Sequence, residues 1–194
     1  MERVFDFKFK NNSIEELERF VTEVLDNIDG KSGTRRKQMY KKANNCPEPK
    51  NSYSMLYGYT NIGYISKSKS RKKVEGIPNT YESTYRTEHP ELQQIFQQLV
   101  DLYCDTKFMV SMVQINKNWK SPPHKDSGNT GVSHIIGLGN YEGGDLVVKY
   151  DNIPHMYEIK NSFLSFDGSK YEHYTMPYTG TRYSLVFYKH KLFN

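Results

Sequence analysis

Residues 108–150 read FMVSMVQINKNWKSPPHKDSGNTGVSHIIGLGNYEGGDLVVKY, and residues 151–190 continue DNIPHMYEIKNSFLSFDGSKYEHYTMPYTGTRYSLVFYKH. This stretch decides the fold. Apolar and aromatic runs at 108–115, 132–139, 145–150, 156–159, 163–167, 171–176 and 182–190 are too short for helices. Turn residues part them: Asn140 with Gly143-Gly144, Asp151-Asn152, Asp167-Gly168 and Thr179-Gly180. Short strands at regular spacing with turns between them predict a β-sandwich or barrel.

Upstream the period changes from 2 to 3.6. Over 13–28, Ile14, Leu17, Phe20, Val21, Val24, Leu25 and Ile28 recur at helical spacing, with Ser13 and Glu16 as a capping box and Gly30 as the stop. A second helix is predicted from Pro90, with Leu92, Ile95, Phe96, Leu99, Val100 and Tyr103 on its apolar stripe. Residues 31–52 read as a basic loop with at most one helical turn, 53–65 (YSMLYGYTNIGYI) as an extended edge, and 66–80 (SKSKSRKKVEGIPNT) as a flexible loop. The expectation is one α+β, mainly β domain over 1–194. Helices and a basic lobe fill 1–107, the β core fills 108–194, and the helices pack on one sheet.

The chain has 194 residues, 36% hydrophobic and 25% charged. Its 16 Tyr, 10 Phe and 1 Trp supply core material that a disordered chain lacks. No stretch approaches the roughly 20 apolar residues of a membrane helix, and the N-terminus MERVFDFKFKNNS lacks a signal-peptide pattern. Cys46 and Cys104 form no CxxC, which argues against a disulfide framework and a cysteine zinc site. These features predict an intracellular protein. Charge is uneven: residues 31–73 hold 12 Lys/Arg and one acid, Glu48, for +11, so the rest of the chain carries −6. A basic lobe on a mildly acidic body predicts a polyanionic partner, DNA above all, or else a solvated loop.

The chemistry concentrates near SPPHKDSGN. His124 and Asp126 at i, i+2 share a face if the segment is extended. His173 lies in the strand-like YEHYTM. Two imidazoles and one carboxylate make the facial triad that suits Fe(II), because it leaves three adjacent coordination positions open. Arg182 and Ser184, again at i, i+2, can grip a remote carboxylate through a guanidinium fork and a hydroxyl. His134 reads as a hydrogen-bonded packing residue, and His89, His155 and His190 as turn or surface residues. Tyr183 points away from Arg182, toward core or outer face. The GLGNYEGG stretch reads as a hairpin turn, since strands flank it and its sixth position is Glu142.

His124-x-Asp126, then His173, then Arg182-x-Ser184, all on predicted strands, resembles the 2-oxoglutarate- and Fe(II)-dependent dioxygenases over residues 108–190. The resemblance implies a double-stranded β-helix, a distorted jelly roll with N-terminal helices against one sheet. It implies Fe(II) on His124, Asp126 and His173, and the 2-oxoglutarate C5 carboxylate on Arg182, helped by Ser184. A polar residue before the HxD contacts the co-substrate in such sites; Asn116 is the first candidate, with Gln114 and Asn118 beside it. The implied reaction consumes O2 and 2-oxoglutarate, hydroxylates a C–H bond, and releases succinate and CO2.

PPHKDSGNTGVSHIIGLGNYEGGDLVV with HYTMPYTGTRYSLVFY is more particular. It is similar to the TET and JBP branch, whose members oxidise the methyl of 5-methylcytosine or thymine in nucleic acid. That resemblance implies DNA as partner and a flipped or single-stranded base as target. The basic segment 31–73 would hold phosphates. Tyr53, Tyr57, Tyr59 and Tyr64, between its two cationic runs, would either stack on bases or pack the sheet edge. The alternatives are a prolyl or lysyl side-chain hydroxylase of the same superfamily, and a non-catalytic nucleic-acid-binding jelly roll.

Overall fold

The computed structural model describes residues 14–61, 64–66, 69–103 and 108–191. Helices α1 (Ile14–Asp26) and α2 (Thr34–Asn44) lead into strand β1 (Tyr53–Tyr57). Two ribbons follow: β2 (Tyr59–Thr60) pairs with β5 (Tyr81–Glu82), and β3 (Tyr64–Ser66) with β4 (Lys69–Ser70). Next come α3 (Thr84–Glu88) and α4 (Leu92–Tyr103). The remaining strands are β6 (Met112–Lys117), β7 (Asn129–Leu138), β8 (Tyr141–Gly143), β9 (Leu146–Tyr150), β10 (Ile153–Tyr157), β11 (Leu164–Phe166), β12 (Glu172–Thr175), β13 (Tyr178–Gly180) and β14 (Tyr183–His190).

A five-stranded antiparallel sheet runs in the order β1-β6-β14-β7-β11. Opposite lies a smaller sheet, β10-β9-β12, extended by a bridge between His124 and His173. The chain alternates between the two sheets, which is jelly-roll topology rather than a meander. Strand alternation then sorts the side chains. Val113, Ile115, Ile136, Leu138, Tyr183, Leu185 and Phe187 face α1 and α4, meeting Leu17, Val21, Leu25, Phe96 and Leu99 in the main core. Burying each such aliphatic side chain stabilises the fold by about 1.5–3 kcal/mol relative to exposure. The intervening residues of the same strands face the other sheet, where Ile135, Leu146, Val148, Ile159 and Phe166 form a second core.

Three readings of the sequence need correction. Residues 34–44 form a full helix rather than a loop. The segment TRRKQMYKKAN has no amphipathic stripe, but it is built of good helix formers, with neither Gly nor Pro inside it. Buried Tyr40, edge-on to Trp119 with ring centroids 4.7 Å apart, anchors it. Within the 66–80 loop, Ser66 and β4 belong to a short ribbon and Lys73 bridges to Tyr81, while its other described residues form turns and irregular chain. The strand expected at 156–159 instead runs Ile153–Tyr157, because the Asp151-Asn152 turn, with both residues at positive φ, folds β10 directly back on β9. The capping residue Ser13 and Cys104 lie outside the described residues. Among those described, no helix is long and apolar enough to cross a membrane.

Candidate metal centre and its cavity

His124, Asp126 and His173 converge, with one donor atom from each lying within 4.8 Å of the others. His124 Nε2 stands 3.7 Å from Asp126 Oδ1, and His173 Nε2 3.8 Å from Asp126 Oδ2. The backbone sets this up. His124 and His173 exchange two backbone hydrogen bonds, 3.1 and 2.9 Å, which fixes their rings 4.3 Å apart. Asp126 N–H donates to Gly168 O at 2.8 Å, tying the HxD segment to the loop before β12.

The ring orientations matter as much as the distances. His124 Nδ1 lies 2.7 Å from Pro122 O, and His173 Nδ1 3.0 Å from Tyr171 O. A carbonyl only accepts, so each Nδ1 carries the proton and each Nε2 presents its lone pair to the common point. Burial, and then the charge of neighbouring His124, push the His173 pKa below its usual value, which favours the neutral ligating form. Asn129 Nδ2 donates to Asp126 Oδ2 at 2.9 Å and to Ser133 Oγ at 3.1 Å, so the carboxylate is oriented too. This donor set fits a six-coordinate divalent ion of the Fe(II) class and leaves one side open.

That side opens on a cavity whose polar wall is Arg36, Gln114, Asn116, Ser184 and Tyr188. Asn116 and Ser184 are register partners on β6 and β14. Asn116 accepts from Ser54 Oγ at 2.7 Å and donates to Ser184 Oγ at 3.2 Å, so its amide is held rigidly. Gln114 lines the cavity as well. Asn118 does not: it accepts from Arg182 N–H at 2.9 Å and donates to Asn51 O at 3.0 Å, a turn amide at positive φ. Burial pushes the Tyr188 phenol up to about 12, so it presents a neutral O–H at pH 7.

Arg182 is 1% exposed and stands outside the residues lining this cavity. Its guanidinium lies against the Tyr141 and Tyr178 rings, 5.4 and 5.5 Å from their centroids, and the two rings meet edge-on. It donates to Gly144 O at 3.1 Å, and its Nε has no hydrogen-bond partner among the described residues. A buried guanidinium with an unused donor fits an absent anion, since leaving such a group unpaired is expensive. Gly144, at φ +75°, makes room: a Cβ there would stand 2.8 Å from Arg182 Nε.

Other residues sort cleanly. His134 faces the helix side, against Phe108, with Nδ1 2.7 Å from Ser165 Oγ. Tyr183 is buried in the helix-facing core, and its hydroxyl donates to Asp26. Tyr53 and Tyr57 are core residues, 4% and 0% exposed, so neither offers a ring to a base. The Tyr64 side chain lies outside the described residues. The basic run is divided: Lys31 pairs with Asp29, Lys37 with Glu48, and Lys72 with Glu82. Arg36 points inward, donating to Gln114 Oε1 at 2.9 Å. Arg36, Asn129 and Gly168 escaped the sequence reading. Arg36 looks like any cation of its run until α2 is docked, and the other two matter only through contacts with Asp126.

No protein-family model and no curated protein matches the chain. Among solved structures it is similar to NgTET1 in complex with 5mC DNA, at 15% identity and a TM-score of 0.52, over 92% of this chain and 69% of that one. It is also similar to an oxidoreductase of the 2OG-Fe(II) oxygenase family from Burkholderia pseudomallei, at 16% identity and a TM-score of 0.44, over 94% and 92%. A prolyl-4-hydroxylase from Pseudomonas putida follows at 14% identity and a TM-score of 0.39, over 92% and 88%. At 15% identity the likeness to NgTET1 is one of fold. The fold is the expected double-stranded β-helix, with helices packed on its larger sheet.

Proposed function

We propose that this chain is an Fe(II)- and 2-oxoglutarate-dependent dioxygenase that hydroxylates the methyl group of a nucleic-acid base, 5-methylcytosine or thymine in DNA. The carrying observation is the convergence of His124, Asp126 and His173 with both Nδ1 protons engaged by backbone carbonyls. Such a preset donor trio, open toward a polar cavity, is built to hold a metal with free positions.

When bound, iron and 2-oxoglutarate supply the means to oxidise a C–H bond, with O2 consumed and succinate and CO2 released. The chain does the rest. His124, Asp126 and His173 hold the ion, and Asn129 keeps the carboxylate turned toward it. Ser184 lines the cavity and would offer a hydroxyl to 2-oxoglutarate, while Arg182, just before that strand and outside the lining, would reach its C5 carboxylate through the unused Nε. Asn116 is locked between Ser54 and Ser184 to meet the co-substrate in one orientation. Arg36, lining the cavity, supplies a second cation for a doubly charged co-substrate.

The nucleic-acid part of the reading draws on the fold shared with NgTET1 and on α2, where Arg35, Lys41 and Lys42 carry no ion pair among the described residues. The test is anaerobic loading with Fe(II) and 2-oxoglutarate, then O2, with DNA containing thymine and 5-methylcytosine. Succinate and nucleosides are quantified by mass spectrometry. A nucleoside gaining one oxygen, lost in His173→Ala, is the expected result. Succinate formed only with a peptide acceptor, the DNA inert, would refute the base substrate. Absence of both iron uptake and succinate would refute the dioxygenase.

A further inference from the structure

A second cavity, of about 350 Å3, lies between α2 and the loop leading to His124. That size is within the roughly 300–1,000 Å3 range of ligand sites. The Tyr40–Trp119 pair, 6% and 4% exposed and edge-on to each other, closes its base without offering a free ring face. Met39 and Ala43 form one wall, and Pro122 and Pro123 the other. Met39 is half exposed. The slot shares Arg36, Ser121 and His124 with the metal cavity, so whatever fills it abuts the candidate metal centre.

The charge around this slot selects the occupant. Lys42 lines it, and Arg35 and Lys41 lie exposed on the same helix with no ion pair among the described residues. Exposed Lys125 follows His124 directly on the loop side. An apolar slot between cationic flanks matches a nucleic-acid strand, whose flat bases fit between apolar walls and whose phosphates need cations. A proline-rich peptide would use the apolar walls but leave the cations beside them without a counter-charge.

We infer that the slot between Met39–Ala43 and Pro122–Pro123 receives one nucleobase of the substrate strand, with the phosphates held by Lys42, Arg35 and Lys125. This rests on the nucleic-acid reading above and adds the place and mode of base docking. The base enters from the α2 side, and Tyr53 and Tyr57 take no part.

Trp119 is the chain's single tryptophan, so its emission reports the slot directly. The full-length protein is titrated with a thymidylate 12-mer and with an abasic phosphodiester of equal length, followed by Trp119 emission and by anisotropy of end-labelled strands. Docking of a base between these walls, above Trp119, predicts that the thymidylate strand changes Trp119 emission and binds about 5- to 150-fold more tightly than the abasic strand. Ala43→Phe, which fills the slot from an exposed helix position, and Met39→Ala, which removes part of a wall, should each move that ratio toward one. Equal binding of both strands with unmoved emission would overturn the inference. If DNA is nonetheless oxidised in the mass-spectrometric assay, the docking site alone fails and the functional reading stands. If neither strand binds while a proline-rich peptide moves Trp119 emission, both fail together.

Discussion

Gly168→Ala gives the sharpest test of how the metal centre is held. A Cβ at residue 168 would stand 2.7 Å from Asp126 Oδ2, whereas ordinary contact begins near 3.4 Å. The carboxylate must therefore yield by about 0.7 Å. It cannot do so by parting the two segments, because Asp126 N–H is bonded to Gly168 O at 2.8 Å. The side chain must rotate instead, away from His173 and off its bond with Asn129. Displacing a ligand by disturbing its support lowers metal affinity by about 10–100-fold, which is roughly 1.4–2.7 kcal/mol. The fold should survive, since Gly168 has no positive φ to lose. The assay is anaerobic calorimetric titration with Mn(II), alongside thermal melting in chelator, with His173→Ala as the variant that binds no metal. Affinity within two-fold of the parent, with an intact melt, would show that Asp126 is not a ligand held in this geometry.

Arg182→Lys should raise the 2-oxoglutarate KM by about 10- to 150-fold, the worth of a charged hydrogen bond, while leaving Mn(II) affinity unchanged; an unaltered KM would move the carboxylate grip to Arg36. Leu99→Ala, at a fully buried site between α4 and the large sheet, should lower unfolding free energy by about 2–5 kcal/mol in denaturant melts, with metal affinity intact. Burial pushes the His134 pKa below 6.5, so the unfolded chain takes up a proton there before the folded one does. Stability of the metal-free protein should then fall as pH drops below about 6.5, and His134→Asn should flatten that slope; an unchanged slope would exclude His134 as its source.

The sequence by itself determined what periodicity and spacing can carry. Alternation in 108–190 and the 3.6-residue stripes of α1 and α4 set the class, because burying one face of each element is a local demand on the chain. His124-x-Asp126 was legible because i and i+2 share a face along any extended segment. Arg182-x-Ser184 followed the same rule, although only the folded chain shows Ser184 lining the cavity while Arg182 lies outside it against two tyrosines. Tertiary structure decided the rest. Helix α2 has no apolar stripe, so nothing local announced that it would dock through Tyr40 on Trp119 and turn Arg36 inward. Gly168 and Asn129 support Asp126 through contacts that exist only once the jelly roll closes. Tyr53 and Tyr57 left the candidate nucleic-acid surface because β1 joined the large sheet and buried them. A pattern along the chain fixes which face is covered; which partner covers it depends on residues distant in sequence, and that is settled only by packing.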